Sequence, residues 1–212
     1  MTLVAYTKID ASANLDLLWS KVNKAFPSTE NNGYFSEIKT RKNPDSIKES
    51  LCTLLVLAEL LNRENISSSA LILGRQKGGK PCLKNSKTEF SLSHSHGIAA
   101  VVISDESRVG IDVEAVEITP EKAAKLAERF FSDVEKRELD ANPDSFLRIW
   151  TKKEAYAKML GTPLSDLIAN EKKSIATERE NAFFAEFEAD GHPLTLCLEK
   201  PCEIKGLDEI IV

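Results

Sequence analysis

Two hydrophobic rhythms alternate along the chain, one of period two and one of period 3.6, and together they predict a mixed α+β protein. Residues 2–9 alternate as a strand. Residues 14–26 place Leu15, Leu18, Trp19 and Val22 on one helical face. Residues 27–43 are polar and broken by Asn31-Asn32-Gly33, which predicts a loop. Pro44 and Asp45 then open the longest predicted helix, running to about Asn62. Its apolar positions Ile47, Leu51, Leu54, Leu55, Leu57, Ala58 and Leu61 cover more than half its circumference, as in a helix laid into a core.

The rhythm of two returns at 71–74, 89–94, 98–104 and 108–117. After Thr119-Pro120-Glu121 it lengthens again, and a helix is expected through Phe131. Ser132-Asp133-Val134-Glu135 has the form of a capping box for a further short helix. Asn142-Pro143-Asp144 starts a helix that runs to Leu160 and stops at Gly161. Residues 183–188 and 194–198 flank Asp190-Gly191-His192-Pro193, a hairpin signal, and 207–212 read as a last edge strand. Each half thus carries strands and one dominant helix. The expected division is 1–104 and 105–212, with an interface between the two.

Composition narrows the functional classes. The formal charge of −5 argues against a generic nucleic-acid binder, which would be basic. The longest apolar run, 51–61, is interrupted by Thr53 and Glu59 and is too short to span a bilayer, so no membrane partner is expected. No charged segment followed by an apolar one marks a secretory signal at the start. Cys52, Cys82, Cys197 and Cys202 are scattered without a CxxC pair. They read as reduced thiols of a cytoplasmic protein.

Two stretches carry candidate chemistry. In Val-Gly-Ile-Asp-Val-Glu at 109–114, a strand would point Asp112 and Glu114 to one face and Val113 to the other. In Trp-Thr-Lys-Lys-Glu-Ala-Tyr-Ala-Lys at 150–158, a helix would align Trp150, Glu154 and Lys158 on one stripe. Brought together, three carboxylates repel one another unless a cation sits among them. A hard divalent ion with oxygen ligands suits that set, and a substrate phosphate could complete its shell. Lys39, Arg41 and Lys42 form a small basic run, either solvated or facing an anion. The glycine-rich turn 74–81 is basic but lacks the spacing and the Ser or Thr of a Walker A loop.

In order, Gly79-Lys80-Pro81, Phe90-Ser91-Leu92-Ser93-His94-Ser95, Gly110-Ile111-Asp112-Val113-Glu114, Phe130-Phe131-Ser132 with Glu135, and Trp150 to Lys158 with Gly161 resemble the 4′-phosphopantetheinyl transferase superfamily. The likeness covers about residues 74–164, and the first 70 match only in outline. It implies the larger, single-chain type: two pseudo-twofold halves, each a small mainly antiparallel sheet on one long helix, with a coenzyme A cleft between them. The implied reaction moves the phosphopantetheine arm of coenzyme A to a serine of an apo acyl or peptidyl carrier protein. The implied metal ligands are Asp112, Glu114 and Glu154, holding magnesium, or alternatively manganese. Lys158 and His94 would contact phosphate, and Ser93, in the same motif as His94, would also bind coenzyme A. Lys80 and Pro81 would line the adenine side. Glu135 is the implied general base, against the structural reading of its capping box. Relatives place arginines for the 3′-phosphate in the N-terminal half, where this chain offers Lys48, with Lys39 or Arg41 helping. A monomer is expected. The alternative is a catalytically weak relative that binds coenzyme A or a carrier protein.

Overall fold

A computed structural model of the protein describes residues 1–171 and 182–212. Strand β1 (Thr2–Lys8) leads into helix α1 (Leu15–Ala25), where the Asn14 side chain accepts from the Leu17 N–H and caps the start. Helices α2 (Asn32–Lys39) and α3 (Pro44–Arg63) follow. The stretch expected to be a loop therefore contains a helix. Asn31, fully buried, accounts for part of it: its side-chain amide donates to the Phe26 and Leu71 carbonyls and accepts from the Leu73 N–H. Tyr34, Phe35 and Ile38 on α2 are buried against the same core.

A hairpin of β2 (Leu73–Arg75) and β3 (Pro81–Leu83) precedes β4 (Glu89–Ser95) and β5 (Ile98–Ser104). Strand β6 (Val109–Val113) is followed by helices α4 (Pro120–Phe130), α5 (Asp133–Ala141), α6 (Phe146–Leu160) and α7 (Leu164–Glu171). Strands β7 (Phe183–Ala189), β8 (His192–Leu198) and β9 (Ile204–Glu209) complete the described elements.

The first sheet has the order β4-β5-β1-β9 and the second β6-β8-β7. Neighbours are antiparallel except β1 and β9, which run parallel with a register shift at Leu3/Val4. The fold is α+β, as expected. The boundary at 105–212 is not kept, because β9 leaves the second half and adds an edge to the first sheet. Helix α3 packs its apolar face, including Leu51, Leu54 and Leu57, on one side of the first sheet. On the other side, Val4, Ala100 and Val102 meet Val109, Ile111 and Val113 of β6 and Leu194 and Leu196 of β8. Helix α6 covers the outer face of the second sheet. The layers therefore run helix, sheet, sheet, helix, and the strands β4 and β6 meet where the two sheets converge.

Among the described residues no helix is long and apolar enough to cross a membrane. The four cysteines are free, and burial pushes the Cys52 thiol up to about 11 and the Cys197 thiol up to about 12.

Candidate functional site

Strand β6 presents Gly110, Asp112 and Glu114 toward α6, as period two requires. Gly110 sets the approach. A Cβ there would lie 1.9 Å from the Ala155 carbonyl oxygen and 2.4 Å from the Met159 nitrogen. The helix backbone thus lies directly on the strand, Lys158 reaches the Asp112 carboxylate, and Glu154 comes near enough to feel its charge. Gly161 ends α6 in the left-handed conformation (φ +71), with its N–H bonded to the Lys158 carbonyl. Gly78 packs against that turn; a Cβ on it would lie 1.8 Å from the Gly161 carbonyl oxygen.

Lys158 Nζ donates to Asp112 Oδ1 at 2.6 Å and to Ser93 Oγ at 2.8 Å. Ser93 Oγ in turn donates to Asp112 Oδ1 at 2.9 Å. Asp112 is 4% exposed, and its Oδ2 is buried without a hydrogen-bond partner. Glu114 accepts from Ser95 Oγ at 2.9 Å and from the Trp150 indole. Burial first, and the charge of Asp112 second, raise the Glu114 carboxyl above its ordinary value. The same two causes push Glu154 up to about 7, against a lesser downward pull from Lys158. The charge of Asp112 thus bears on both glutamates, and that of Glu114 adds to the upward push on Glu154. Among the described residues, no three His, Cys, Asp or Glu side chains converge into a ready coordination set. The donor chemistry still fits a hard cation: the oxygens are all carboxylate, and one of them is buried with nothing to bond.

Several expected contacts fall elsewhere. Glu135 is 1% exposed and its capping box is complete: Ser132 Oγ accepts from the Glu135 N–H, and Glu135 Oε2 accepts from the Ser132 N–H. Both its oxygens also accept from Lys153 Nζ, at 2.9 and 2.7 Å, and that lysine is itself fully buried. A carboxylate so enclosed is a structural partner, which corrects the general-base role. Ser93 has its hydroxyl proton on Asp112 and its lone pairs on Lys158 and the Val113 N–H, so it holds the acid rather than a ligand.

His94 points the opposite way from Ser93, because neighbours on a strand alternate. Its Nδ1 lies 2.9 Å from Glu49 Oε2 on α3, away from the carboxylates. It does line a cavity of about 670 Å³, together with Lys48, Glu49, Asp45 and His96. Lys48 donates to the Ala11 carbonyl and pairs with Asp45, both contacts being made by its ammonium. Arg41 donates to the Ser46 carbonyl and to the Ser46 and Ser50 hydroxyls, so it fastens the start of α3 and is not among the residues lining that cavity. Lys80 is 8% exposed; it donates to the Val109 carbonyl at 2.9 Å and pairs with Glu89 at 3.2 Å. Lys80 and Pro81 do share a cavity of about 240 Å³ with Glu154, Lys158, Gly161 and Leu164.

Trp150 stacks on Phe146 (6.0 Å, 12°) and meets Phe130 edge-on (5.4 Å, 89°), so it anchors the core and also bonds Glu114. Ser95 and Gly110 were missed as site residues. The alternation Ser91-x-Ser93-x-Ser95 was the available signal for the first, since it puts three hydroxyls on one face of a strand.

Residues 108–202 match a family described as the 4′-phosphopantetheinyl transferase superfamily. The chain is similar to the 4′-phosphopantetheinyl transferase Sfp of Bacillus subtilis (strain 168), at 30% identity over 127 residues, covering 57% of this chain and 55% of that protein. It is 36% identical over 108 residues to the 4′-phosphopantetheinyl transferase AcpT of Salmonella typhi, covering 48% and 55%. The 4′-phosphopantetheinyl transferase ffp of Bacillus subtilis aligns over 174 residues at 25% identity, covering 74% and 76%. The chain spans about half the length of the first of these relatives. The resemblance carried by the motifs is thereby borne out as a likeness: residues 108–202 are similar to the 4′-phosphopantetheinyl transferase superfamily.

Proposed function

We propose that this chain transfers the 4′-phosphopantetheine arm of coenzyme A to a serine of an apo acyl or peptidyl carrier protein. The observation that carries the reading is the Asp112, Glu114 and Glu154 cluster with Lys158 in it and a buried, partnerless Asp112 Oδ2. It supports the reading because attack of a serine oxygen on a pyrophosphate phosphorus needs charge neutralisation and in-line positioning more than a covalent group on the enzyme. Asp112, Glu114 and Glu154 would hold a divalent ion, magnesium or manganese, given that every donor is oxygen. Such an ion supplies Lewis acidity at the pyrophosphate when bound.

Lys158 sits on the wall of the smaller cavity and offers its ammonium to a phosphate oxygen. Pro81 and the stem of Lys80 line the same cavity and limit how far the donor enters. Asp112 holds Lys158 through Oδ1, and so keeps that ammonium at the cluster. The serine oxygen bonds to the β-phosphorus, the pyrophosphate P–O bond breaks, adenosine 3′,5′-bisphosphate leaves with the bond's electrons, and the hydroxyl proton passes to solvent. Glu135 takes no part in this reading, since Lys153 and the Ser132 N–H already occupy it. A monomeric, cytoplasmic enzyme with no nucleic-acid or membrane partner completes the proposal.

The test is mass spectrometry of a panel of apo acyl and peptidyl carrier proteins incubated with the protein, coenzyme A and magnesium. A carrier that gains the phosphopantetheine mass supports the reading. No gain on any carrier, with the enzyme shown to be folded, sinks it. One observation favours a second reading, a weak relative that binds without efficient transfer: Arg41, Lys48 and His94 all have protein partners. Calorimetry with coenzyme A, with and without magnesium, separates the two. Tight binding without transfer selects the second.

A further inference from the structure

Among the described residues strand β6 is an edge strand, paired on one side by β8. The N–H groups of Ile111, Val113 and Ala115 point to its open side, and buried backbone donors must find acceptors. They find them in side chains. Ile111 N donates to Ser91 Oγ at 3.2 Å, Val113 N to Ser93 Oγ at 3.3 Å and Ala115 N to Ser95 Oγ at 3.1 Å. Both sequences advance by two at each rung, so β4 and β6 run side by side in the same direction, joined by hydroxyls in place of a backbone ladder. Each hydroxyl still has a proton to give. From Ser93 it goes to Asp112 Oδ1, and from Ser95 to Glu114 Oε2. The rung at Ser91 faces Gly110, which has no side chain to receive it.

We infer that the serine row of β4 positions the carboxylates of β6 for a divalent cation, with Ser93 setting Asp112 and Ser95 setting Glu114. This deepens the proposed function and rests on its assignment of Asp112, Glu114 and Glu154 as cation ligands. The mechanism is selection among oxygens. Ser93 and Lys158 both engage Oδ1 of Asp112, which leaves the buried Oδ2 as the oxygen with a lone pair to offer. Ser95 fixes Oε2 of Glu114, and the backbone bond from Ala115 fixes Ser95 in turn. Because the hydroxyl is tied to the strand that carries the carboxylate, strand and acid move together. A positioning group of this kind typically changes metal affinity by about 10–100-fold when removed.

The row contains its own control. Ser91 makes the seam bond to β6 but touches no carboxylate in that bond, so a purely structural role predicts that Ser91 and Ser95 behave alike. Binding of manganese(II) is followed by electron paramagnetic resonance in the wild type and in Ser91→Ala, Ser95→Ala, Ser95→Thr and Ser95→Val, with a thermal melt on each. Ser95→Ala is expected to weaken manganese binding at least tenfold, while Ser91→Ala stays within about twofold of wild type and Ser95→Thr recovers most of the loss. Thr and Val share a shape and differ in the hydroxyl, so Thr binding tighter than Val supports the inference even where the alanine variant does not fold. Ser95→Ala binding like wild type, equal losses in Ser91→Ala and Ser95→Ala, or equal affinities for Thr and Val would overturn it. A wild type that binds no manganese removes the cation site itself, and the inference with it, an outcome distinct from normal binding that the variants leave unchanged.

Discussion

Glu135→Gln separates a structural carboxylate from a catalytic one. Gln keeps an oxygen that can accept from the Ser132 N–H, so the capping box survives in its Glu/Gln form. What disappears is the negative charge opposite Lys153, whose ammonium is fully buried and 2.7 Å from the carboxylate. Removing one partner of a buried ion pair costs about 3–5 kcal/mol, because the other charge stays behind in a low-dielectric site. For a chain of this size that corresponds to roughly 6–20 °C in melting temperature, at about 2–4 °C per kcal/mol. The loss depends on pH. Burial already lowers the Lys153 value below its ordinary 10.5, with Glu135 pulling it back up. Without that pull it falls further, so the folded variant binds fewer protons than the unfolded chain, and its stability rises as pH climbs toward 10.5. Differential scanning calorimetry at pH 7 and pH 9.5 should show a large deficit that narrows at the higher pH. Turnover per folded molecule, measured well below the melt, should remain within a few-fold of wild type. A variant with an unchanged melt and turnover down a hundredfold would refute this account and restore Glu135 as a base.

The remaining predictions concern the carboxylate cluster and the contact that builds it. Glu154 has a raised value near 7, so its contribution to metal-free stability is complete below about 4.5 and is lost as pH rises through 7, by about 3 kcal/mol at most; Glu154→Gln should flatten the melting temperature between pH 5 and pH 8, and an unchanged slope would dismiss the raised value. Asp112→Asn should abolish carrier modification in the mass assay while the chain stays folded, and wild-type rates would remove the proposed cation site. Gly110→Ala forces its new methyl into the α6 backbone and should cost about 3 kcal/mol, the upper end of overpacking penalties, together with transfer activity; a stable, active variant would mean that α6 can retreat without disturbing Glu154 and Lys158.

The carboxylate pair and the helix stripe were legible because each obeys one local period. Asp112 and Glu114 share a strand face, Trp150, Glu154 and Lys158 share a helix face, and no distant residue is needed to see either. The helix within 14–26, the long helix from Pro44 and the hairpin around Asp190-Gly191 were legible for the same reason. What stayed hidden depends on partners far away in the chain. His94 reads as a phosphate contact until Glu49, 45 residues earlier, is placed beside it by α3. Arg41 reads as a free cation until the Ser46 and Ser50 hydroxyls close on it. Asn31-Asn32-Gly33 reads as a break, yet the first asparagine is held by carbonyls from two other segments, and the chain turns into α2. Alternation alone also cannot say which sheet a strand joins, and that decided the place of β9.

The parallel pairing of β9 with β1 gives the protein a kinetic character. Residues 2–6 wait for partners at 204–209, so the first sheet cannot be finished until both sheets and the helices between them are in place. Contacts of such long sequence separation slow folding, since the entropy of closing the loop is lost before the pairing rewards it. A fragment ending near residue 104 would carry β1 with one edge bare, a template for pairing with a second fragment. The two halves should therefore melt in one transition, and the isolated N-terminal half should aggregate where the whole chain does not.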